Sequence, residues 1–200
     1  MPFRLPIRKN LDKLNAIEID MIAPSHGPVY DNPEIIIDAY KQWVSDDVEN
    51  AVVLPYISMH HSTKHMVDHF IDALIQRNIK VKPFDLLEPD TGKIAMALVD
   101  AATVVIASPT VLAGAHPKAA YAAILVNALR PKTKVVSLIG SYGWSPAMQK
   151  QLASLIPNLK AELIEPVMVK GHPKDNDLIE IERLADDILQ KHKELNIAKS

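Results

Sequence analysis

The stretch TVVIA at residues 103–107 is a run of apolar, mostly β-branched residues without polar alternation, and VVSLI within 134–139 has a similar composition. Strands of this kind lie in the interior of a parallel sheet, because helices cover both of their faces. We therefore predict that both runs form central strands of such a sheet.

Outward from these two runs, short apolar segments alternate with longer segments of helical periodicity. Three more strands are predicted at 51–57, 80–84 and 161–169, the last two at the edges of the sheet. Helices are predicted at 63–77, 91–101, 116–129, 146–156 and 176–195. Such alternation predicts an α/β, doubly wound fold of the flavodoxin type, with a five-stranded parallel sheet in the order 2-1-3-4-5.

The first fifty residues do not share this pattern and are predicted to form a short N-terminal extension. The expected elements are a helix near 10–17, a strand at 20–23, the turn PSHGPVY at 24–30 and a helix from 32 to about 44. Acidic residues between 45 and 50 are typical of a linker. We therefore divide the chain into domains 1–45 and 46–200.

Composition excludes several classes of function. The 200 residues carry a formal net charge of -2, which argues against nucleic acid or an anionic membrane as the main partner. The sequence has no cysteine, so redox chemistry would need a bound cofactor. We find no signal peptide and no run of membrane-spanning length, and we expect a cytoplasmic protein.

Three loops follow strands at the sheet edge where doubly wound folds bind ligands. The loop at 58–63 opens a helix, and its hydroxyl and backbone N–H groups can hold a phosphate. It contains neither GxxxxGK[ST] nor GxGxxG, which favours a phosphomonoester over an NTP or a dinucleotide. The alternative is that Ser62 only caps the helix.

The other two loops are suited to a flat aromatic ring. Residues 108–114 supply apolar side chains beside backbone donors, and residues 140–145 place Tyr142 and Trp144 near two glycines. Each loop taken alone is also compatible with ordinary turn chemistry. Together, on successive strand ends, they favour a ligand site.

Four segments carry a specific resemblance. They are YISMHHSTKHM (56–66), SPTVLAGAHPK (108–118), LRPKTK (129–134) and GSYGWSPAMQK (140–150), and they resemble the flavodoxin domain of the flavodiiron proteins, also called A-type flavoproteins. The resemblance implies FMN as the cofactor, with its phosphate at 58–63 and its ring at 109–114 and 141–144. The implied cofactor-binding residues are Ser58, Met59, His60, His61, Ser62, Thr63, Pro109, Thr110, Val111, Leu112, Ala113, Gly114, Ser141, Tyr142, Gly143 and Trp144.

The segment IAPSHGPVYDNPEIIIDAYKQW (22–43) resembles the last part of the metallo-β-lactamase-like domain of the same family. By this resemblance His26 is a metal ligand only if a complementary chain supplies the others, since residues 1–25 hold no HxExDH motif. We therefore expect an FMN-binding electron-transfer flavoprotein, the flavodoxin portion of a flavodiiron-type oxygen or nitric oxide reductase. It would lack a complete di-iron site and would not reduce either gas alone.

The same resemblance implies the partners. They are a redox donor such as rubredoxin or a reductase, a di-iron partner chain, and further copies of this chain in a homo-oligomer. Two alternatives stay open. One is a stand-alone FMN oxidoreductase for a small molecule, and the other is a cofactor-free interaction domain, which the departures at Pro55 and 111–113 would permit.

His61, His65 and His69 recur at a spacing of four residues, which can bind a transition metal in a helix. No further ligand is evident at matching spacing, so a solvated helix face is the preferred interpretation.

Overall fold

The computed structural model describes residues 3–198, and the chain divides into two compact units between Asp47 and Val48. The first unit contains helices α1 (Arg4–Leu14) and α2 (Pro33–Val44). The strand predicted at 20–23 is wrong, because only an isolated antiparallel bridge joins Ile22 to Tyr30.

The first helix begins earlier than predicted and ends three residues sooner. Pro6 lies in its first turn, where the missing N–H costs no hydrogen bond, so the helix can start before it. The guanidinium of Arg4 donates to the carbonyl of Ser45 and pairs with Asp46 at 2.5 Å. This pairing lowers the pKa of the Asp46 carboxyl and ties the start of α1 to the end of α2.

The second unit alternates strands and helices. Its elements are β1 (Glu49–Tyr56), α3 (Ser62–Gln76), β2 (Lys80–Asp85), α4 (Thr91–Ala97), β3 (Ala101–Val111), β4 (Gly114–Ala115), α5 (Pro117–Leu129), β5 (Val135–Tyr142), α6 (Ala147–Ser154), β6 (Glu162–Leu163), β7 (Val167–Lys170) and α7 (Asp175–Glu194). Within residues 3–198, no helix is both long enough and apolar enough to cross a membrane.

Within residues 3–198, the sheet has seven strands rather than the five predicted. Its order is β2-β1-β3-β5-β6, with β7 also parallel to β5 and the two-residue β4 antiparallel to β3. The α/β class, the parallel sheet and the central position of β3 and β5 are confirmed, whereas the simple five-stranded arrangement is not.

The difference arises in two places. Pro166 has no N–H to donate, and the strand predicted at 161–169 is split there into β6 and β7. The hydroxyl of Ser137 lies 3.4 Å from the carbonyl of Ile164 in this gap. On β3, the chain continues to Val111 and turns back on itself, which adds β4 as the second strand of a hairpin.

Two hydrophobic cores lie on opposite faces of the sheet. On one face, α3 and α7 bury side chains such as Phe70 and Leu184 against the strands. On the other face, α4, α5 and α6 bury residues such as Ile94 and Leu152. This packing leaves the carboxyl ends of β1, β3 and β5 and the loops after them as the sheet edge at which a ligand can bind.

Candidate cofactor site

A cleft of about 360 Å³ lies at the carboxyl ends of β1, β3, β5 and β7. It is lined by Ser58, Met59, His60, Ser62, Thr63, Pro109, Thr110, Val111, Ser141, Tyr142, Gly143, Gly171 and His172. The structure thus brings eleven of the sixteen predicted residues to one cleft, and it adds Gly171 and His172.

The loop at 58–63 presents unpaired donors at the start of α3. His61 precedes the helix with a left-handed backbone (φ 61°), and its side chain makes no capping hydrogen bond. The hydroxyl of Ser58 accepts from the amide of Lys64 at 3.2 Å. The amides of Ser62 and Thr63 belong to the first turn, which has no intrahelical acceptors. Ser62 is therefore not the cap, and the amides of Ser62 and Thr63 are free to bind an anion.

Two hydroxyl groups define the inner wall of the cleft. Thr63 Oγ1 lies 3.1 Å from Ser141 Oγ, a buried contact that joins the first loop to the end of β5. Thr110 Oγ1 is also buried, but it has no hydrogen-bond partner in the described structure. A buried hydroxyl without a partner is costly, so Thr110 is a group that a polar atom of a ligand would satisfy.

Five predicted residues do not line the cleft. Leu112 and Ala113 form the tip of the β3–β4 hairpin, and the Leu112 side chain is 95% exposed. Gly114 packs against α6, since a Cβ atom there would lie 2.4 Å from Gln151 Oε1. Trp144, two residues after Tyr142, is 83% exposed, and His61 is also exposed and not among the lining residues.

The loop after β7 supplies the two lining residues that the sequence interpretation missed. Gly171 adopts φ +77°, a conformation that favours glycine, and its amide donates to the carbonyl of Tyr142 at 2.8 Å. The ring of His172 then lies 5.5 Å from the ring of His65 on α3. The sequence signal for this loop was Gly171, which directly follows the last strand. Since the carboxyl end of that strand lies at the same edge of the sheet as the ends of the other parallel strands, the loop after it reaches the cleft.

The cleft contains no permanently charged side chain. None of the lining residues that the structure describes is a lysine, arginine, aspartate or glutamate, and those that can titrate are His60, Tyr142 and His172. The nearby Lys64 of α3 pairs with Asp68 at 2.5 Å, and this hydrogen bond raises the pKa of the lysine. An anion in the cleft would therefore be held by the helix dipole, by neutral donors and by histidines.

No three His, Asp or Glu side chains between residues 3 and 198 are arranged to hold a metal ion. His65 faces His172 and His69 Nε2 lies 2.8 Å from Glu182, so the evenly spaced histidines do not converge on one point. His26 is exposed in the first unit.

The fold and the cleft together define an α/β domain of the flavodoxin type. An archaeal flavodoxin superimposes with a TM-score of 0.62 over 72% of this chain and 99% of its own, at 24% identity. The flavodiiron protein of Giardia intestinalis superimposes with a TM-score of 0.87 at 22% identity, over 94% of this chain and 48% of that one. At these identities the likeness concerns the fold alone.

Comparisons with known proteins narrow the class of protein to which this chain is related. No family model matches the chain. A nitric oxide reductase of Moorella thermoacetica is 35% identical over 183 residues, which are 89% of this chain and 46% of that protein. Rubredoxin oxygen:oxidoreductase from Desulfovibrio gigas is 26% identical with a TM-score of 0.92, over 98% of this chain and 51% of that one. The chain is thus a relative of the flavodiiron proteins, as the sequence motifs predicted, and it spans about half the length of the curated relatives that it matches.

Proposed function

We propose that the protein binds FMN in the cleft and serves as an electron-transfer flavoprotein, the flavodoxin portion of a flavodiiron-type oxygen or nitric oxide reductase. The observation that carries this proposal is the composition of the cleft wall. The amides of Ser62 and Thr63, a cluster of hydroxyls and an unpaired buried Thr110 Oγ1 meet apolar surface and an aromatic ring, and the described lining includes no lysine, arginine, aspartate or glutamate. That set suits a phosphomonoester joined to a flat heteroaromatic ring.

In this proposal the chain binds and orients the cofactor. The hydroxyls of Ser58, Ser62 and Thr63 and the amides at the start of α3 hold the phosphate. Thr110, Tyr142 and Gly143 border the ring, with Thr110 Oγ1 as a hydrogen-bond donor or acceptor to a polar ring atom. Bound FMN supplies the electron-accepting and electron-donating chemistry, and the protein tunes it through these contacts.

We further propose that residues 1–45 correspond to the end of a metallo-β-lactamase-like domain, followed by the flavodoxin-like domain at 46–200. His26 would ligate iron together with residues of a complementary chain, so oxygen or nitric oxide reduction would need that partner. A relative named rubredoxin oxygen:oxidoreductase supports a rubredoxin-like or reductase donor. A homo-oligomer and a cytoplasmic location complete the proposal.

The test is a titration of the purified protein with FMN, followed by absorption and flavin fluorescence. We expect flavin bands that persist after desalting. Thr110→Val removes the unpaired hydroxyl, so FMN binding should weaken by roughly threefold to tenfold, while the free protein becomes no less stable. Thr91→Val, at an exposed site outside the cleft, is the matched control and should bind as the wild type does.

Two outcomes would count against the proposal. If no FMN binds at micromolar concentration, the cofactor assignment fails and a cofactor-free interaction domain remains. If Thr110→Val and Thr91→Val bind FMN equally well, the ring does not use the inner wall. A Trp144→Ala variant then asks whether the exposed indole closes over the ring, and weaker binding is the expected result.

A further inference from the structure

Two loops place histidine side chains in a cleft whose described lining includes no lysine or arginine. His60 comes from the loop before α3, and His172 comes from the loop after β7. Lysine and arginine keep their charge at neutral pH, whereas histidine gains or loses its charge between pH 5 and pH 8. Histidine is therefore the side chain of this lining that can supply positive charge to a ligand.

The backbone on both sides of the exposed His172 is held in place. The amide of Gly171, just before it, donates to the carbonyl of Tyr142 at 2.8 Å, and Pro173, just after it, is buried. The ring planes of His172 and His65 are tilted by 35°, with 5.5 Å between their centroids. Because His65 ends the first turn of α3, this contact places the exposed His172 ring next to the start of that helix.

Among residues 3–198, His172 forms no ion pair with a carboxylate. The titratable or charged side chains on the surrounding elements are Lys64, His65 and Asp68 of α3, His60, Tyr142, and Lys170 and Lys174 on either side of the loop. Asp68 is paired with Lys64 at 2.5 Å, so that carboxylate is already matched by its neighbour on the helix. Lysines flank the histidine along the chain, and an anionic ligand is the natural counterion for this side of the cleft.

We propose that His172, assisted by His60, recognises the phosphate of the ligand and couples the affinity for a phosphorylated flavin to pH. This inference rests on the proposed function of the cleft. A protonated imidazole donates a charge-assisted hydrogen bond to phosphate, which is stronger than the bond from a neutral ring. The contribution of His172 to phosphate binding thus grows as the pH falls from 8 to 6.

The experiment measures dissociation constants by flavin fluorescence at pH 6, 7 and 8. The ligands are FMN and riboflavin, which lacks the phosphate, and the proteins are the wild type, His172→Gln and His69→Gln. His69 lies one turn further along α3 and contacts Glu182, so its variant controls for the loss of a histidine outside the cleft. Free phosphate monoesters ionise again near pH 6, but this effect is common to all three proteins and cancels in their ratios.

For FMN, the dissociation constant of His172→Gln should exceed that of the wild type roughly tenfold at pH 6, and the two should be nearly equal at pH 8. For riboflavin, and for His69→Gln with either ligand, the ratio should stay near one. His60→Gln should give a smaller effect with the same pH trend.

The outcomes separate the two proposals. If FMN binds but the ratio for His172→Gln is constant with pH, or if riboflavin shows the same trend, the inference is wrong and the proposed function stands. If neither flavin binds at any pH, the proposed function is wrong and this inference falls with it.

Discussion

His192 belongs to the last helix, α7, and its side chain is completely buried against the amino ends of β1 and β3. Its Nδ1–H donates to Asn50 Oδ1 at 2.7 Å, because an amide oxygen can only accept. Nε2 is then an acceptor for the hydroxyl of Thr103, also at 2.7 Å. The ring is thus held neutral, and burial lowers its pKa to about 4.

From the lowered pKa of His192, we predict that the folded protein loses stability in mild acid. The unfolded chain protonates His192 near its ordinary pKa of 6.5, whereas the folded protein resists protonation down to about 4. Unfolding therefore takes up a proton between these values, and stability falls as the pH is lowered through this window. We expect His192 to contribute a loss of about 2 kcal/mol between pH 7 and pH 5.

Urea denaturation at both pH values checks this prediction. His192→Gln retains hydrogen-bonding capacity but cannot titrate, so its unfolding free energy should fall less with acid than that of the wild type. His26→Gln, at an exposed site in the first unit, should leave the pH dependence unchanged. An equal pH dependence in His192→Gln and the wild type would contradict the assignment.

At the scale of single residues, the sequence predicted the position of the cleft better than it predicted the full set of lining residues. Residues such as Ser58 and Thr110 follow apolar strands, and the rule that ligands bind at strand carboxyl ends was enough to bring them together. The role of His172 depends on Gly171 and on a contact with α3 that is distant in sequence, so no local pattern contained it. The partner of His192 was likewise hidden, because Asn50 lies 142 positions away.

The hairpin between β3 and β4 contains two consecutive non-glycine residues with positive φ. Leu112 and Ala113 both have positive φ, at 48° and 64°, in the two-residue turn between Val111 and Gly114. Turns with two positive φ values favour Asn-Gly, because side chains with a Cβ are strained there. Because the tip of this hairpin is strained and exposes apolar surface, we infer that its sequence is not optimised for stability.

Replacement of the tip by Leu112→Asn with Ala113→Gly should therefore stabilise the free protein, by about 1 kcal/mol. The opposite effect is expected for Ala120→Gly in the interior of α5, which should destabilise by about 1 kcal/mol. The thermal unfolding midpoints of both variants and of the wild type test these two predictions. A destabilised tip variant would show that Leu112 or Ala113 makes a contact worth more than the strain.

Elements were predicted well where one physical signal dominates. The helix at 33–44 and the central strands follow from clear periodicity and from long apolar runs. Helix α4 ends at Ala97, four residues before the predicted end. Residues 98–100 form a turn instead. The prediction extended the helix because the apolar spacing of these residues continues the helical pattern. The tip of β3 and the break at Pro166 depend on pairing with neighbouring strands, which a single sequence does not reveal.

At the scale of the whole molecule, the two hydrophobic cores lie entirely within the second unit, between Ala51 and Ile188. Deletion of residues 1–47 should therefore leave a cooperatively folding protein with one unfolding transition. Deletion of residues 175–200 removes α7 with Leu184 and Ile188, each worth about 2 to 3 kcal/mol of burial, and should abolish folding.

Circular dichroism during urea titration distinguishes these variants. A broad, non-cooperative transition after removal of residues 1–47 would mean that the second unit does not fold independently. A folded variant without α7 would show that the core on that face closes without its covering helix.

The two margins of the sheet affect how readily the protein can aggregate. β2 has Lys80, Lys82 and Pro83, and the opposite margin is divided at Pro166 into strands of two and four residues. A long, flat and apolar margin recruits extended segments from other molecules and seeds fibrous aggregates. Charge and proline on one side, and interruption on the other, make both margins poor templates. The irregularity that separates this sheet from an ideal five-stranded one thus guards it against polymerisation.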